Sequence, residues 1–258
     1  MHAEKTKTLT SIKPFNSTQY LNHISLDCVI FGFHNNELKV LLMHLKYTQG
    51  YALPGGFIEY EETLEEAAQR ILKERTGLDK IFLKQFKVFS DPLRSKTNTA
   101  IEDVIKSGKS VDMDFFNERF LSIGLYALVD FEKVKPTPDY FSDRCEWQNL
   151  DTDVPLIVDH RQIINEAHET LRLQLNYQPI GLKLLPKKFT MPELRTLYET
   201  ILGKELDRRN FQRKILKYDI LDKLKERKTG GAHKSPFLYQ FNPERYQKAL
   251  KDGLTDIW

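Results

Sequence analysis

The sequence of 258 residues predicts an α/β protein: a mixed sheet held between helices over residues 20–176, followed by a smaller basic domain built of helices and a hairpin. Three observations predict it. Apolar runs rich in β-branched and aromatic residues alternate with stretches of helical 3-4 spacing as far as residue 176. A loop with consecutive glycines opens the strongest of those helices, and a glycine closes it. Charge divides the chain as well: residues 177–258 carry 18 Lys+Arg against 10 Asp+Glu, a net of +8, and residues 1–176 carry the remaining 21 against 26, a net of −5.

Length and composition bound the rest. The chain is long enough for one or two domains, and a hydrophobic fraction of 40% is ordinary for a globular protein. No apolar run approaches the ~18 residues of a membrane span, and no apolar signal region follows Met1-His2-Ala3-Glu4-Lys5. A cytoplasmic protein with no membrane partner is expected. Cys28 and Cys145 form neither a disulfide framework nor a zinc spacing. The basic C-terminal third is expected to meet a polyanion; a solvated basic face is the plainer alternative.

Taken in order, residues 1–22 read as a polar, mildly basic arm. One domain is expected over 23–176 and a second, basic one over 177–258. Ile24 to Phe33 and Leu38 to Leu45 flank the turn signal His34-Asn35-Asn36 and read as a β-hairpin. Pro54-Gly55-Gly56 forces a tight, irregular path. Glu61 to Thr76 is a helix: Thr63 and Glu66 make a capping box, Leu64, Ala67, Ala68, Ile71 and Leu72 form one buried face, and Gly77 ends it. Ile81 to Phe89 is a strand. Residues 95–118 read as an inserted loop or short helix. Phe120 to Phe131 is a long strand, Pro136-Thr137-Pro138 a turn, and Cys145 begins a short strand. A helix then runs to about Leu175, its apolar face marked by Ile163, Ile164, Ala167, Leu171 and Leu175.

Pro179 to Pro186 reads as hinge-like. Thr190 caps a helix with Pro192 in its first turn, and Asp207 caps a second, Arg208 to about Lys217. Ile220 to Arg227 reads as a strand or a helix-to-strand segment and Pro236 to Phe241 as a second strand, around a flexible basic loop, and Asn242 caps a closing helix. Helix, short turn, basic helix, then a hairpin with a basic tip is the layout of a winged helix-turn-helix.

The stretch from Gly56 to Leu78 carries the first site. Gly56, Glu62, Arg70, Leu72, Glu74, Gly77 and Leu78 have the spacing of the Nudix box, and the domain resembles a Nudix-type α/β/α sandwich. That resemblance implies Mg²⁺-dependent cleavage of a pyrophosphate, with glutamates at i, i+3 and i+4 of one helix face holding the metal. Here those positions are Ile71, Glu74 and Arg75. Ile71 offers no lone pair, and Arg75 puts a positive charge where a cation would sit. The box is therefore read as a scaffold with no catalytic residue, metal or cofactor, with Glu62 a candidate partner for Arg70. A pocket needs shape and a few polar groups rather than a metal; its candidate liners are Phe57, Glu74, Arg75, Asp91, Arg94 and Tyr126, each of which also has a plain structural or surface explanation.

The second site is the helix after Asp207. Phe211, Ile215 and Leu216 are its candidate core residues; Arg208, Arg209, Gln212, Arg213 and Lys217 face outward. Arg and Gln make bidentate contacts with guanine and adenine edges, mostly from the N-terminal end of a recognition helix, and Asn210 suits either bases or phosphate. Arg227, Lys228, His233 and Lys234 surround Gly230-Gly231 in a cationic tip suited to phosphate or minor-groove contact.

Together the two parts resemble the Nudix-related transcriptional regulators of bacteria. Gln178-Pro179-Ile180-Gly181, Leu185-Pro186, Phe189-Thr190 and Asp207-Arg208-Arg209-Asn210-Phe211 resemble the linker and recognition helix of the sugar-responsive, arabinose-regulator branch. The resemblance implies a repressor, homodimeric on a palindromic double-stranded operator, whose effector is a sugar or an ADP-ribose-like nucleotide. The rival reading is an active Nudix hydrolase of ADP-ribose or a related nucleoside diphosphate.

Overall fold

The computed structural model describes residues 15–79, 81, 83–94, 102–103, 106, 112–228 and 235–254. His233, Lys234 and the Gly230-Gly231 tip lie outside the described residues, as does most of the insertion.

The strands of the first domain are β1 (Tyr20–His34), β2 (Glu37–Leu45), β3 (Tyr51–Ala52), β4 (Gly55–Glu59), β5 (Leu83–Phe89), β6 (Leu121–Leu128) and β7 (Ser142–Asn149). They form one seven-stranded mixed sheet in the order β3-β2-β1-β6-β5, with β4 on β1 and β7 on β2. β1 and β2 are the expected hairpin, joined by Asn35 and Asn36, which both take positive φ. β1 runs parallel to β6 from Ile24↔Leu121 to Phe31↔Leu128. β1 begins before the apolar run: residues 20–22, read as arm, already belong to the strand, and Tyr20 pairs with Glu59.

Alternation along β1 sends successive side chains to opposite faces. Leu26, Cys28 and Ile30 pack with Leu125 and Ala127 under α1 (Leu64–Thr76), against Ala67, Ala68, Ile71 and Leu72. The other face buries Val29, Phe31, Val40 and Leu42 against Ile163, Ile164, Ala167 and Leu171. Within the insertion lies the short helix α2 (Met113–Phe116). Then α3 (His160–Gln174) carries the second face. Each apolar side chain fully buried in this way contributes roughly 1.5–3 kcal/mol.

The turn expected at Pro136-Thr137-Pro138 is not formed. Lys135 N–H donates to Thr76 O (2.8 Å) and Thr137 N–H to Arg75 O (3.0 Å), so this extended segment satisfies carbonyls that the end of α1 leaves without helical partners.

The second unit comprises β8 (Phe189–Thr190), α4 (Met191–Leu202), α5 (Arg208–Lys217), β9 (Leu221–Arg227), β10 (Phe237–Phe241) and α6 (Pro243–Asp252). Its three strands run β8-β10-β9, antiparallel throughout. The Thr190 and Asp207 caps form as the sequence predicts, Asp207 on Asn210 N–H, and at Thr190 the structure adds a capping box with Glu193. The connector from Pro179 to Pro186 departs from the hinge expected of it. Ile180, Leu184 and Leu185 are buried in the core that runs from α3 into α4 and α5, and Tyr246 donates to Pro179 O at 2.8 Å. Its apolar side chains pack, so the two units share one continuous core.

Candidate effector site and nucleic-acid interface

At the box, Thr63 accepts from Glu66 N–H, and Glu66 returns a bond to the Thr63 backbone, fixing the start of α1. Arg70 then anchors the loop to the helix. Its guanidinium forks onto Glu62 at 2.6 and 2.9 Å and donates to Phe57 O at 2.9 Å. That bond holds the Glu62 carboxyl below the usual range and raises Arg70. The predicted Glu62–Arg70 partnership is therefore present.

The metal positions are filled by other contacts. Ile71 is only 1% exposed and packs where a Cβ on Gly56 would lie 3.1 Å from its Cδ1. The Arg75 side chain is 12% exposed, with Nη2 at 3.3 Å from Asp139 and 3.6 Å from Glu74. Glu66 is committed to the cap and Glu62 to Arg70; Glu59 lies 3.7 Å from the same guanidinium. Among the described residues no group of three or more His, Cys, Asp and Glu side chains is placed to hold a metal ion. Mg²⁺, which demands near-octahedral oxygen ligands, does not fit this box, and no step through a metal follows from it.

The six expected pocket liners are divided by the fold. Phe57 stays on the box side, in an aromatic cluster with Phe15, Tyr20, Phe115 and Phe120 at 4.9 to 5.8 Å between centroids. Glu74 and Arg75 lie on the box helix, where Arg75 pairs with both Glu74 and Asp139. Asp91 is exposed and accepts from Leu93 N–H at 2.8 Å, closing the turn after β5. Tyr126 is not in this group. It points to the opposite face of the sheet, buried against α3 with its hydroxyl bonded to Gln174, and burial pushes that hydroxyl up to about 12. The period of two on β6 decides this, since Leu125 and Ala127 take the box face.

Arg94 lies in a polar network that sequence reasoning missed. It forks onto Asp159 at 2.9 and 2.8 Å and approaches Asp27 at 3.4 Å. Ser122 donates to the same Asp27 carboxylate, and His160 Nε2 is 3.4 Å from its other oxygen. His160 Nδ1 accepts Leu53 N–H at 2.9 Å, and burial lowers its affinity for a proton. The signal was Asp27 itself: a carboxylate inside the run Leu-Asp-Cys-Val-Ile-Phe must find buried partners.

In the basic unit, α5 buries Phe211 and Ile215 and exposes Arg208, Arg209, Asn210, Arg213 and Lys217; Gln212 is half-buried. Leu216, a candidate core residue, is 43% exposed because it falls outside the Phe211/Ile215 stripe. Tyr198 of α4 meets Phe211 edge-on at 5.4 Å, which sets α5 across α4. Arg213 donates to Asn210 Oδ1 at 3.0 Å. On the hairpin, Arg227 lies 3.8 Å over the Phe237 ring and bonds Ser235 O, while Lys228 bonds Glu193 at 2.6 Å.

The NUDIX domain family matches residues 21–152, just over half of the chain. The chain belongs to the Nudix family. Residues 181–241 match the NrtR DNA-binding winged helix domain, so this is a Nudix-related regulator with an α/β domain of mixed sheet joined to a winged helix. It is 27% identical over 230 residues to the "ADPR responsive transcriptional repressor NtrR" of Acinetobacter baylyi, across 86% of this chain and 83% of that one. It is 29% identical over 146 residues to the "ADP-ribose pyrophosphatase" of Methanocaldococcus jannaschii, across 54% of this chain and 84% of that one. Its fold is that of Shewanella oneidensis NrtR crystallised with a 27mer DNA: TM-score 0.72, 24% identity, 92% of this chain and all of that one. Among the described residues of this Nudix protein no helix is long and apolar enough to cross a membrane.

Proposed function

We propose that this protein is a cytoplasmic transcriptional repressor that reads an operator with α5 and the β9–β10 wing and loses affinity for it when ADP-ribose, or a close nucleoside diphosphate, binds the Nudix domain. One observation carries the reading: a box whose metal positions are closed by Ile71 and Arg75 shares a chain with a winged helix whose α5 exposes Arg208, Arg209 and Arg213. The Acinetobacter relative, named for its response to ADPR and matched along most of both chains, supports this effector class. A pentose, implied by the likeness to the sugar-responsive branch, is the alternative effector. Two copies related by a two-fold axis would set two recognition helices on successive major grooves. Within the Nudix domain, Phe57 and the polar edge formed by Glu74 and Arg75 are the liners we retain. Arg208, Arg209, Asn210, Gln212, Arg213 and Lys217 are the DNA-facing set, with Arg227 and Lys228 at the base of the wing.

The test is an anisotropy titration of the full chain against its own promoter regions, with ADP-ribose, arabinose or neither. Specific binding that ADP-ribose reverses is the expected result. No specific binding at any promoter sinks the regulator, and reversal by arabinose alone moves the effector to the sugar class. The matched pyrophosphatase and the intact Glu62–Arg70 pair favour one rival, a working hydrolase. Mg²⁺-dependent turnover of ADP-ribose that disappears in Glu74→Gln would establish it.

A further inference from the structure

Helix α3 is fastened at one end to the loop that precedes the box and along its length to the winged helix. At its N-terminal end, His160 accepts Leu53 N–H and Asp159 holds the Arg94 fork. Just upstream, Tyr51 N–H donates to Pro155 O at 2.7 Å and Ile157 N–H to Tyr51 O at 3.0 Å. The loop itself has little room to slide: Cys28 N–H holds Pro54 O at 2.8 Å, and a Cβ on Gly55 would lie 2.6 Å from Leu26 O. Displacing residues 53–56 therefore means displacing the start of α3.

About two turns along the helix, His168 Nε2 lies 3.1 Å from Ile201 O. A carbonyl only accepts, so Nε2 carries the proton. Ile201 is in the last turn of α4, where carbonyls lack partners within the helix; His168 supplies one from another domain. Between the two attachments Ile163, Ile164 and Ala167, and just beyond them Leu171, are buried in one core with Leu194, Leu197 and Ile201 of α4. Interiors packed this closely transmit displacement rather than absorb it. α4 in turn seats α5 through Tyr198 and Phe211.

We propose that α3 is the transmission element of the protein, with Asp159 and His160 as positioning residues at its effector end and His168 as the positioning residue at its DNA end. A ligand that shifts the Leu53–Gly56 loop would move α3 through the first pair, and α3 would move the end of α4, and so α5, through His168. The effector half of this inference rests on the reading of the Nudix domain as a ligand sensor.

The experiment uses the full chain and two readouts. In the first, operator affinity is measured with and without saturating ADP-ribose for wild type, His168→Ala and His168→Gln, with thermal unfolding to confirm folding. His168→Ala is expected to keep ligand-free operator affinity and ADP-ribose affinity within about threefold of wild type while cutting the effector-induced ratio at least about fivefold, coupling factors commonly lying between about 5 and 150. His168→Gln, whose amide donates to the same carbonyl, is expected to restore the ratio. A full ratio in His168→Ala overturns the proposal. The second readout needs no ligand: amide hydrogen exchange in Asp159→Asn. Faster exchange at the end of α4 and in α5 supports transmission, and acceleration confined to residues 51–60 and the first turn of α3 overturns it. A wild-type chain indifferent to ADP-ribose overturns the proposed effector and leaves exchange to decide the role of α3.

Discussion

Arg94 gives the sharpest test of the structure against the sequence, because the sequence offers it as a pocket liner and the structure makes it a buried tie. Its side chain is 5% exposed, and its two carboxylate partners, Asp27 and Asp159, are nearly as enclosed. In Arg94→Met the stem still packs, but both carboxylates lose their counter-charge. Breaking a buried pair by removing one partner costs about 3–5 kcal/mol. Set against a typical total of about 5–15 kcal/mol, that is roughly a fifth or more of the stability. It corresponds to a melting temperature lower by on the order of 10 °C for a chain of this size. Urea unfolding is the assay: the midpoint should fall with the slope unchanged. Arg94→Lys keeps the charge but not the fork, so part of the loss is expected there. A loss below about 1 kcal/mol in Arg94→Met, together with weakened effector binding, would refute the tie and return Arg94 to the pocket.

Arg208→Ala and Arg209→Ala should each weaken operator binding by about 1–3 kcal/mol and relax specificity if they reach base edges. Lys217→Ala, at the far end of α5, should weaken it evenly across sequences and lower the salt slope by about one; unchanged slopes and specificity throughout would take α5 out of the groove. Gly203 ends α4 with φ of 64° and no atom within 4 Å of where a Cβ would stand. Gly203→Ala should then cost only the left-handed strain, about 1 kcal/mol, in thermal unfolding; a larger loss would mean that side-chain room also matters. Acid should destabilise the fold in two windows. His160 and His168 bind protons less readily when folded because burial disfavours their charge, so stability falls as pH drops through and below the unfolded histidine value of about 6.5. The depressed Glu62 carboxyl adds stability above the unfolded value of about 4.3 that is lost as pH falls below it. Equal pH slopes for wild type and His168→Gln between pH 7 and 5 would remove His168 from the first window.

Most of the local architecture was legible because it depends on short-range chemistry. The capping box at Thr63, the caps at Thr190 and Asp207 and the glycine stop at Gly77 all involve residues within one turn of each other, and all are present in the structure. The hairpin and the apolar stripes of α1 and α3 follow from periodicity alone. What escaped depends on which face a residue takes in a sheet whose strand order is non-sequential. Tyr126 and Asp27 lie on β6 and β1, adjacent and parallel although far apart in the chain, and nothing local says that their face is the one α3 covers. The two-residue strand β8 is invisible for the same reason: Phe189 and Thr190 are extended only because β10 pairs with them. The connector at 179–186 reads as hinge-like, yet Ile180, Leu184 and Leu185 pack it in place once a neighbouring core exists.

The two altered box positions do more than delete ligands. Ile71 fills the space beside Gly56, and Arg75 ties the end of α1 to Asp139, beside the segment that caps its carbonyls. Restoring the family glutamates should therefore damage the scaffold before it recreates a metal site. In Ile71→Glu the buried aliphatic contribution of about 1.5–3 kcal/mol is lost, and a carboxylate is placed in an apolar environment without a partner, which costs several kcal/mol more unless it stays protonated or escapes to water. The double variant Ile71→Glu, Arg75→Glu also surrenders the Asp139 ion pair and sets two new carboxylates beside Glu74. Urea unfolding should show a loss of about 3 kcal/mol or more for Ile71→Glu, and turnover of ADP-ribose with Mg²⁺ should stay at background in both variants. A double variant as stable as wild type that hydrolyses ADP-ribose would show instead that the metal face persists intact beneath two substitutions.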